Sequence, residues 1–184
     1  MNQDLNVRKS HLDFGEIYFW TATINQWQLL LNDDKFKVVI LQSLNDLSDR
    51  GKIDVFSFVI MPNHIHLIWR LNEKNGKESP HASFLKFTAH EFKKMLIVQG
   101  EEKLMPYLVD AKNKDYEFWK RDSLATILFT RKVAYQKLDY IHQNPSAGKW
   151  QLADDPFDYP YSSAAYYEKG IKTFSFLKDL REEF

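Results

Sequence analysis

The pattern of apolar and polar positions along the chain predicts alternating strands and helices. Short stretches rich in aromatic and β-branched residues are typical of strands, and apolar residues that recur every three or four positions are typical of amphipathic helices. The predicted strands span Ile17 to Ile24, Ile53 to Met61, His64 to Leu71, Tyr116 to Lys120 and Leu124 to Phe129. The predicted helices span Asp33 to Arg50, Ser79 to Val98 and Thr130 to Gln143.

The order of these elements predicts the fold class. Pro62 and Asn63 suit the central positions of a tight turn, so the strands on either side should form an antiparallel hairpin. The full order is typical of an α+β, ferredoxin-like split β-α-β sandwich, with an antiparallel sheet, helices on one face and a further C-terminal helix. We expect a loose segment over residues 1–16, one domain over 17–150 and an appended segment over 151–184.

The second helix should bury one apolar stripe against the sheet. Its candidate core residues are Phe84, Phe87, Phe92, Met95 and Leu96. The strand His64 to Leu71 alternates instead, because side chains along a strand point to opposite faces. Its odd-numbered residues are apolar, so we expect one face of this strand to be core and the other to be polar and open.

Composition narrows the classes of protein that fit this fold. With 184 residues, 44% of them hydrophobic, the chain can bury a core as one domain. It has no cysteine, which excludes disulfides, thiolate metal sites and cysteine nucleophiles. Its apolar runs are far shorter than the roughly 20 residues that span a bilayer, and its polar start does not read as a secretory signal. We therefore expect a cytoplasmic protein without membrane contact.

Net charge does not by itself indicate a nucleic-acid partner. Lys and Arg total 25, as do Asp and Glu, whereas proteins that neutralise a long phosphate backbone are usually basic. Between Lys86 and Lys149 the balance is locally positive, with 12 basic residues against 8 acidic ones. This predicts a restricted basic contact surface.

His64 and His66 form the first candidate site. Residues two apart on a strand point to the same face, about 6 to 7 Å apart along the strand, so their imidazoles could share one divalent ion. The opposite face of the strand, with Ile65 between them, would hold both histidines on a rigid support. The other four histidines, His11, His81, His90 and His142, show no such spacing, and we expect them to be solvated or to cap helices.

Tyr140 and Asn144 form the second candidate site. On a helix, positions i and i+4 lie on one face, so a phenol and an amide oxygen would lie side by side. Ile141 would anchor the opposite side of the helix. Tyr135 lies about 140° round the helix from Tyr140, and we expect it to pack against neighbouring residues.

The segments FSFVIMPNHIHLIW, YIHQNP and PYSSAAYY, in this order, resemble the single-tyrosine HUH transposases, and among these the REP-associated tyrosine transposases. The resemblance extends over about residues 17–167. The family often has Val and a basic residue after the Asn-Pro pair, whereas this chain continues with Ser146-Ala147. We therefore assign no base-contacting residue to that stretch.

The resemblance implies a role for each matching residue. His64 and His66 fall on the two metal-binding histidines, Tyr140 falls on the nucleophile of the catalytic helix, and Asn144 falls on the third metal ligand. The implied activity is cleavage and rejoining of single-stranded DNA at hairpins through a covalent 5′-phosphotyrosine. Mg²⁺ or Mn²⁺ would be the cofactor, a homodimer is one arrangement that the family uses, and the protein would be nucleoid-associated.

Aromatic and basic residues beyond these motifs could contact DNA. Unpaired bases stack on aromatic side chains, and cations bind the neighbouring phosphates. The preferred candidates are Trp119, Lys120 and Arg121.

Two other classes of protein share parts of these motifs. A barrel metallohydrolase also uses a His-x-His pair, but that fold needs roughly 250 residues and more distant ligands. A transposase-derived module that binds DNA hairpins without cutting them is the stronger rival. Retention of His64, His66, Tyr140 and Asn144 favours the active enzyme without excluding the binding module.

Overall fold

A computed structural model describes the chain over residues 12–111, 114–121 and 123–184, with its main elements in the predicted order. The strands are β1 (Ile17–Thr23), β2 (Ile53–Met61), β3 (His64–Leu71), β4 (Leu108–Ala111), β5 (Lys114–Tyr116) and β6 (Leu124–Ile127). The helices are α1 (Asp34–Asp49), α2 (Pro80–Gln99), α3 (Arg131–Gln143) and α4 (Ala164–Lys169).

The main sheet has the strand order β2-β3-β1-β6, and every neighbouring pair is antiparallel. Helix α1 connects β1 to β2 with β3 lying between them, and α2 connects β3 to β6 with β1 between them. These are two interlocked split β-α-β units. The predicted α+β, ferredoxin-like fold class is confirmed.

Helices α1 and α2 cover one face of the sheet. Alternate residues of the two central strands point into this layer, among them Trp20 and Trp69, whose rings lie 4.8 Å apart. Phe84 and Phe92 of α2 are buried against them, as predicted. Phe87, predicted as core, is 47% exposed, because it lies on the solvent side of α2.

Helix α3 covers the opposite face, the one that carries His64 and His66. Thr130 caps its start by accepting a hydrogen bond from the amide of Val133 at 3.4 Å. Leu138 and Ile141 of α3 are buried there in a second apolar core. The prediction of a polar, open face was therefore wrong: sequence alternation marks the two faces but does not reveal that a later helix covers one of them.

The C-terminal residues also pack on the sheet. Val59 of β2 forms a bridge with Ser162, and Val55 forms one with Leu177. Leu177 is buried in the first core and Leu180 in the second, so this segment runs along the outer edge of β2 and contributes to both layers.

One predicted strand has a different form. Within Tyr116 to Lys120, only Tyr116 is in a strand, β5, which pairs with β4 in a separate two-stranded sheet. Trp119 makes one isolated bridge to Ile24 at the end of β1. A short aromatic stretch favours extended backbone, but it does not specify the partner strand.

None of the helices within the described ranges is long and apolar enough to cross a membrane. Residues 1–11, which include His11, lie outside the described ranges. In the rest of the predicted loose segment, Leu12 is buried in the first core and the amide of Gly15 donates to the carbonyl of Leu71 at 2.8 Å.

Candidate active site

The two histidines of β3 lie side by side under α3. Their ring centroids are 4.7 Å apart, and the register of β1 with β3 places His64 opposite Thr23 and His66 opposite Thr21. His66 is only 6% exposed, and His64 is half-buried. The strand geometry thus brings both imidazoles to one place, as the spacing predicts.

Each imidazole is oriented through its Nδ1 atom. Nδ1 of His64 lies 2.7 Å from Oδ1 of Asn63, and Nδ1 of His66 lies 2.7 Å from Oγ1 of Thr21. The amide nitrogen of Asn63 donates to the carbonyl of Trp27 at 3.4 Å, which fixes Oδ1 as the atom facing His64. A neutral His64 must then donate from Nδ1, and its Nε2 keeps a free lone pair.

The Nε2 atom of His66 is buried and has no hydrogen-bond partner among the described residues. Such a polar atom is costly in a folded protein unless a water, an ion or a ligand satisfies it. When Nδ1 of His66 donates to Thr21, the lone pair of its Nε2 is free for that ligand. Both histidines can therefore present Nε2 to one cation.

Burial keeps both imidazoles neutral at physiological pH. Desolvation, with a smaller contribution from Lys149, lowers the pKa of His64 to about 4. Desolvation, followed by the charges of His64 and Lys137, lowers the pKa of His66 to about 3. Neutral imidazoles are the form that binds metals, so no proton competes for their lone pairs near pH 7.

Helix α3 places Tyr140 beside His66 within the same chain. The two rings lie edge to face with 5.3 Å between their centroids, and the Tyr140 ring is 5.9 Å from that of Phe19 on β1. Tyr140 is 50% exposed, although its neighbour Ile141 is fully buried. A phenol held next to the histidines and still open to solvent can reach a bound substrate.

Asn144 lies one helical turn beyond Tyr140, at the end of α3, and is 8% exposed. The described residues contain no group of three or more His, Cys, Asp or Glu side chains that could hold a metal. A set of two imidazoles and one amide is not such a group, because Asn is not among these residue types. Nitrogen and oxygen donors of these types, the set that the sequence predicts with Asn144, would fit Mn²⁺ at least as well as Mg²⁺, which prefers oxygen.

Lys137 and Lys149 flank the histidines, and the sequence did not identify either of them as a site residue. Nζ of Lys137 lies 4.7 Å from the Phe19 ring centroid and 5.8 Å from that of Tyr140. Nζ of Lys149 lies 5.0 Å from the ring of Trp150, which is itself 6.1 Å from the ring of His64. These cations make the surroundings of the site attractive to phosphate. The spacing of three residues between Lys137 and Tyr140 indicates that they share one face of the helix, and from it Lys137 could have been predicted from the sequence.

His142 is buried, contrary to the expectation of a solvent or capping role. Its Nε2 lies 3.0 Å from Oγ of Ser163 and 3.3 Å from Oγ of Ser57. Burial lowers its pKa to about 4. A β-bulge between Val55 and Ser57 turns Ser57 toward this histidine, so the network ties α3 to β2 and to the C-terminal segment.

The prediction that Trp119 contacts DNA is wrong, whereas Lys120 and Arg121 stay candidates for DNA contact. Trp119 is 6% exposed, and its indole nitrogen donates to Oγ1 of Thr88 at 2.9 Å within the first core. Lys120 and Arg121 are exposed. Arg121 pairs with Glu117 at 3.2 Å, and Nζ of Lys120 lies 5.6 Å from the ring centroid of Trp27.

Comparison with known proteins gives a likeness in structure only. No family model and no curated protein matches the sequence. A REP-associated tyrosine transposase bound to a REP hairpin is similar at a TM-score of 0.59 and 18% identity, covering 94% of this chain and 91% of that one. A Deinococcus radiodurans R1 protein assigned as a transposase reaches a TM-score of 0.42 at 14% identity, over 80% of this chain and 100% of that one. The chain therefore has the fold of a REP-associated tyrosine transposase.

Proposed function

We propose that this protein is a single-tyrosine HUH transposase of the REP-associated type, which cleaves and rejoins single-stranded DNA at hairpins. The observation that carries the proposal is the contact of Tyr140 with His66, 5.3 Å between ring centroids, beside two free imidazole nitrogens. The similar solved structure is that of a transposase bound to a REP hairpin, which supports a DNA hairpin as the substrate here.

Tyr140 is the proposed nucleophile. Its oxygen attacks the scissile phosphorus, a bond from phosphorus to the tyrosine oxygen forms, and the bond from phosphorus to the 3′ oxygen breaks. The phenol loses its proton and the departing 3′ oxygen gains one. The 5′-phosphotyrosine keeps the energy of the broken bond, so a 3′ hydroxyl can attack it later, rejoin the DNA and release Tyr140 without ATP.

His64, His66 and Asn144 would hold Mg²⁺ or Mn²⁺. When bound, the cation supplies positive charge to the phosphoryl oxygens and thereby stabilises the transition state. The protein contributes the fixed orientation of both imidazoles through Asn63 and Thr21. Lys137 adds a second positive charge on the side of Tyr140 and favours a phosphate at that position.

Phe19 and the buried face of α3 limit the approach to Tyr140. Phe19 stacks on His66 with 5.3 Å between ring centroids and touches Tyr140 at its edge. The phosphate must therefore reach the tyrosine from its exposed side. A flexible single strand can bend into this position more readily than a duplex, which supports single-stranded DNA as the substrate.

The rival is a binding module that recognises hairpins without cutting them. Such a module has no use for a buried imidazole nitrogen without a partner, or for a phenol held beside it. The orphaned Nε2 of His66 thus favours the enzyme.

Cleavage of labelled oligonucleotides decides between the two functions. We would incubate the protein with single-stranded hairpins chosen from the DNA that flanks its gene, with Mn²⁺, with Mg²⁺ and with EDTA. The enzyme is expected to yield a shortened strand and a covalent adduct with either ion and neither product in EDTA, and to leave linear duplex of the same sequence uncut. Tight hairpin binding without any cleavage would instead establish the binding module.

A further inference from the structure

Trp27 is the most exposed tryptophan of the chain. It is 60% exposed, whereas Trp20, Trp69 and Trp119 are buried and Trp150 is half-buried. An indole ring is a large apolar surface that folding normally removes from water. The backbone at this position is unusual, because Gln26 and Trp27 both adopt positive φ angles, 52° and 58°. Side chains with a Cβ atom rarely adopt this conformation, and such residues cluster at ligand-binding positions.

The segment that carries Trp27 lies at the histidine end of the sheet. It follows β1 directly, and the amide of Ile24 donates to the carbonyl of Asn63 at 2.8 Å. The side-chain amide of Asn63 then joins the two sites, since its nitrogen donates to the carbonyl of Trp27 and its oxygen accepts from His64. A single side chain thus separates the Trp27 backbone from the proposed cation ligand.

A positive charge accompanies the exposed ring. Nζ of Lys120 lies 5.6 Å from the centroid of the indole. Lys120 is exposed, and within the ranges that the structure describes it makes no ion pair. An exposed aromatic ring with an exposed ammonium next to it can bind a nucleobase and its phosphate, because the base stacks on the ring and the phosphate meets the cation.

We propose that Trp27 and Lys120 form a stacking site for an unpaired nucleotide of the DNA, next to the cleavage position. This inference rests on the proposed function, and it takes the place of the stacking role predicted for Trp119. The occupant is single-stranded DNA, because Lys120 complements phosphate and because the site continues directly into the surroundings of His64 through Asn63. A base pair inside a duplex cannot stack on Trp27, since the neighbouring pairs cover both of its faces.

The test measures the binding of two fluorescein-labelled hairpins in EDTA, where cleavage should not occur. Both hairpins have the same stem, chosen from the DNA that flanks the gene; one carries unpaired nucleotides at both ends of the stem, and the other is blunt. Trp27→Ala should weaken binding of the extended hairpin about 5- to 100-fold, the range for loss of one base–aromatic stack. Trp27→Phe should retain most of the affinity for the extended hairpin. Lys120→Gln should lower that affinity and make it less dependent on salt. The blunt hairpin should bind the wild type and all these variants with equal affinity.

Matched controls lie on α2, the helix on the sheet face opposite α3. Phe87→Ala removes another exposed aromatic ring, and Lys94→Gln removes another exposed ammonium. Neither substitution should change the affinity for the extended hairpin. A drop of the same size in Phe87→Ala would overturn the proposal, because it would attribute the loss to a general effect.

Tryptophan fluorescence gives a second readout. Binding of the extended hairpin should quench the solvent-exposed emission of the wild-type protein, and Trp27→Phe should lose most of that quenching.

If the wild type binds neither hairpin, the proposed function itself fails. If it binds the extended hairpin and Trp27→Ala binds it equally well, the stacking site is wrong while the function stands. A change of oligomeric state in Trp27→Ala with unchanged DNA affinity would identify the ring as a protein contact and overturn the proposal.

Discussion

The phenol of Tyr140 lies edge-on to the imidazole of His66, with 5.3 Å between the ring centroids. The contact forms within one chain because Leu138 and Ile141, on the inner side of α3, are buried against the same sheet that carries the histidines. Bringing these two residues together therefore does not require exchange of α3 with a partner subunit. The proposed nucleophile and a proposed cation ligand meet in a fixed geometry that a single fold provides.

Thr21 should control metal affinity without touching the metal. Thr21→Val keeps the shape of the side chain and removes the oxygen that orients Nδ1 of His66. Loss of such an orienting partner typically weakens metal binding about 10- to 100-fold. Titration with Mn²⁺, followed by electron paramagnetic resonance, measures this affinity. Thr126→Val, at an exposed position of β6, is the control and should bind Mn²⁺ like the wild type. Equal affinity in both variants would remove Thr21 from the site.

The histidines should matter for cleavage far more than for hairpin binding. His64→Ala and His66→Asn each remove one free imidazole nitrogen, so we expect cleavage to fall by at least about 100-fold, with hairpin affinity within about threefold of the wild type. His66→Asn is preferred to alanine because His66 is buried and alanine would leave a cavity. His90→Ala, on the exposed side of α2, is the matched control. Full cleavage by His66→Asn would exclude a role for that imidazole.

His142 is expected to act as a positioning residue for the catalytic helix. His142→Phe removes the hydrogen bonds of this histidine to Ser57 and Ser163, whose hydroxyls still bond each other at 2.9 Å. The loss should cost about 0.5 to 1.5 kcal/mol of unfolding free energy for each hydrogen bond. Looser docking of α3 should also lower the rate of cleavage, whereas the affinity for the hairpin should change little. Thermal unfolding and single-turnover rates measure the two effects. His142→Gln, which can still hydrogen-bond both serines, should recover part of the rate. Equal rates in His142→Phe and the wild type would reduce this histidine to a purely structural role.

Metal-free protein should lose stability as the pH falls below about 6.5. Burial lowers the pKa of His64 and of His142 to about 4 and that of His66 to about 3, whereas histidines of the unfolded chain titrate near 6.5. Between these values the unfolded state binds more protons than the folded one, so the free energy of unfolding rises with pH. The slope is at most about 1.4 kcal/mol per pH unit for each histidine.

Urea unfolding between pH 5 and 6.5 measures this slope, in a range where most carboxylates stay ionised. His142→Gln should reduce the slope, because it removes one of the three histidines whose pKa burial lowers. A stability that does not vary over this range would contradict the burial of the three histidines as neutral groups.

Most of the fold could be predicted from the sequence, because its signals are local. The bounds of β2 and β3 follow from runs of apolar residues around Pro62 and Asn63, and Thr130 marks the start of α3 by its capping oxygen. The pairing of β4 with β5 could not be predicted, because a short strand does not specify its partner. Burial of the histidine face was missed for a related reason, since it depends on where α3 docks.

The residues proposed for the chemistry could be identified from spacing and resemblance, whereas their surroundings could not. His64, His66, Tyr140 and Asn144 stand in short motifs. Asn63 predicts a tight turn, but nothing in the sequence indicates that its side chain links Trp27 to His64. Trp119 and Trp27 are residues of the same type, and only the fold determines that Trp119 is buried and Trp27 is exposed. Burial and long-range hydrogen bonds depend on tertiary packing, which periodicity does not encode.

The identity of the nucleophile is the central claim, and mapping the covalent adduct tests it most directly. Wild-type protein is incubated with the single-stranded hairpin and Mn²⁺, digested, and analysed by mass spectrometry for the peptide that carries the nucleotide. We predict phosphotyrosine at Tyr140, no adduct from Tyr140→Phe with hairpin affinity retained, and normal adduct from Tyr135→Phe. An adduct that persists in Tyr140→Phe, or that maps to Tyr135, would contradict the account.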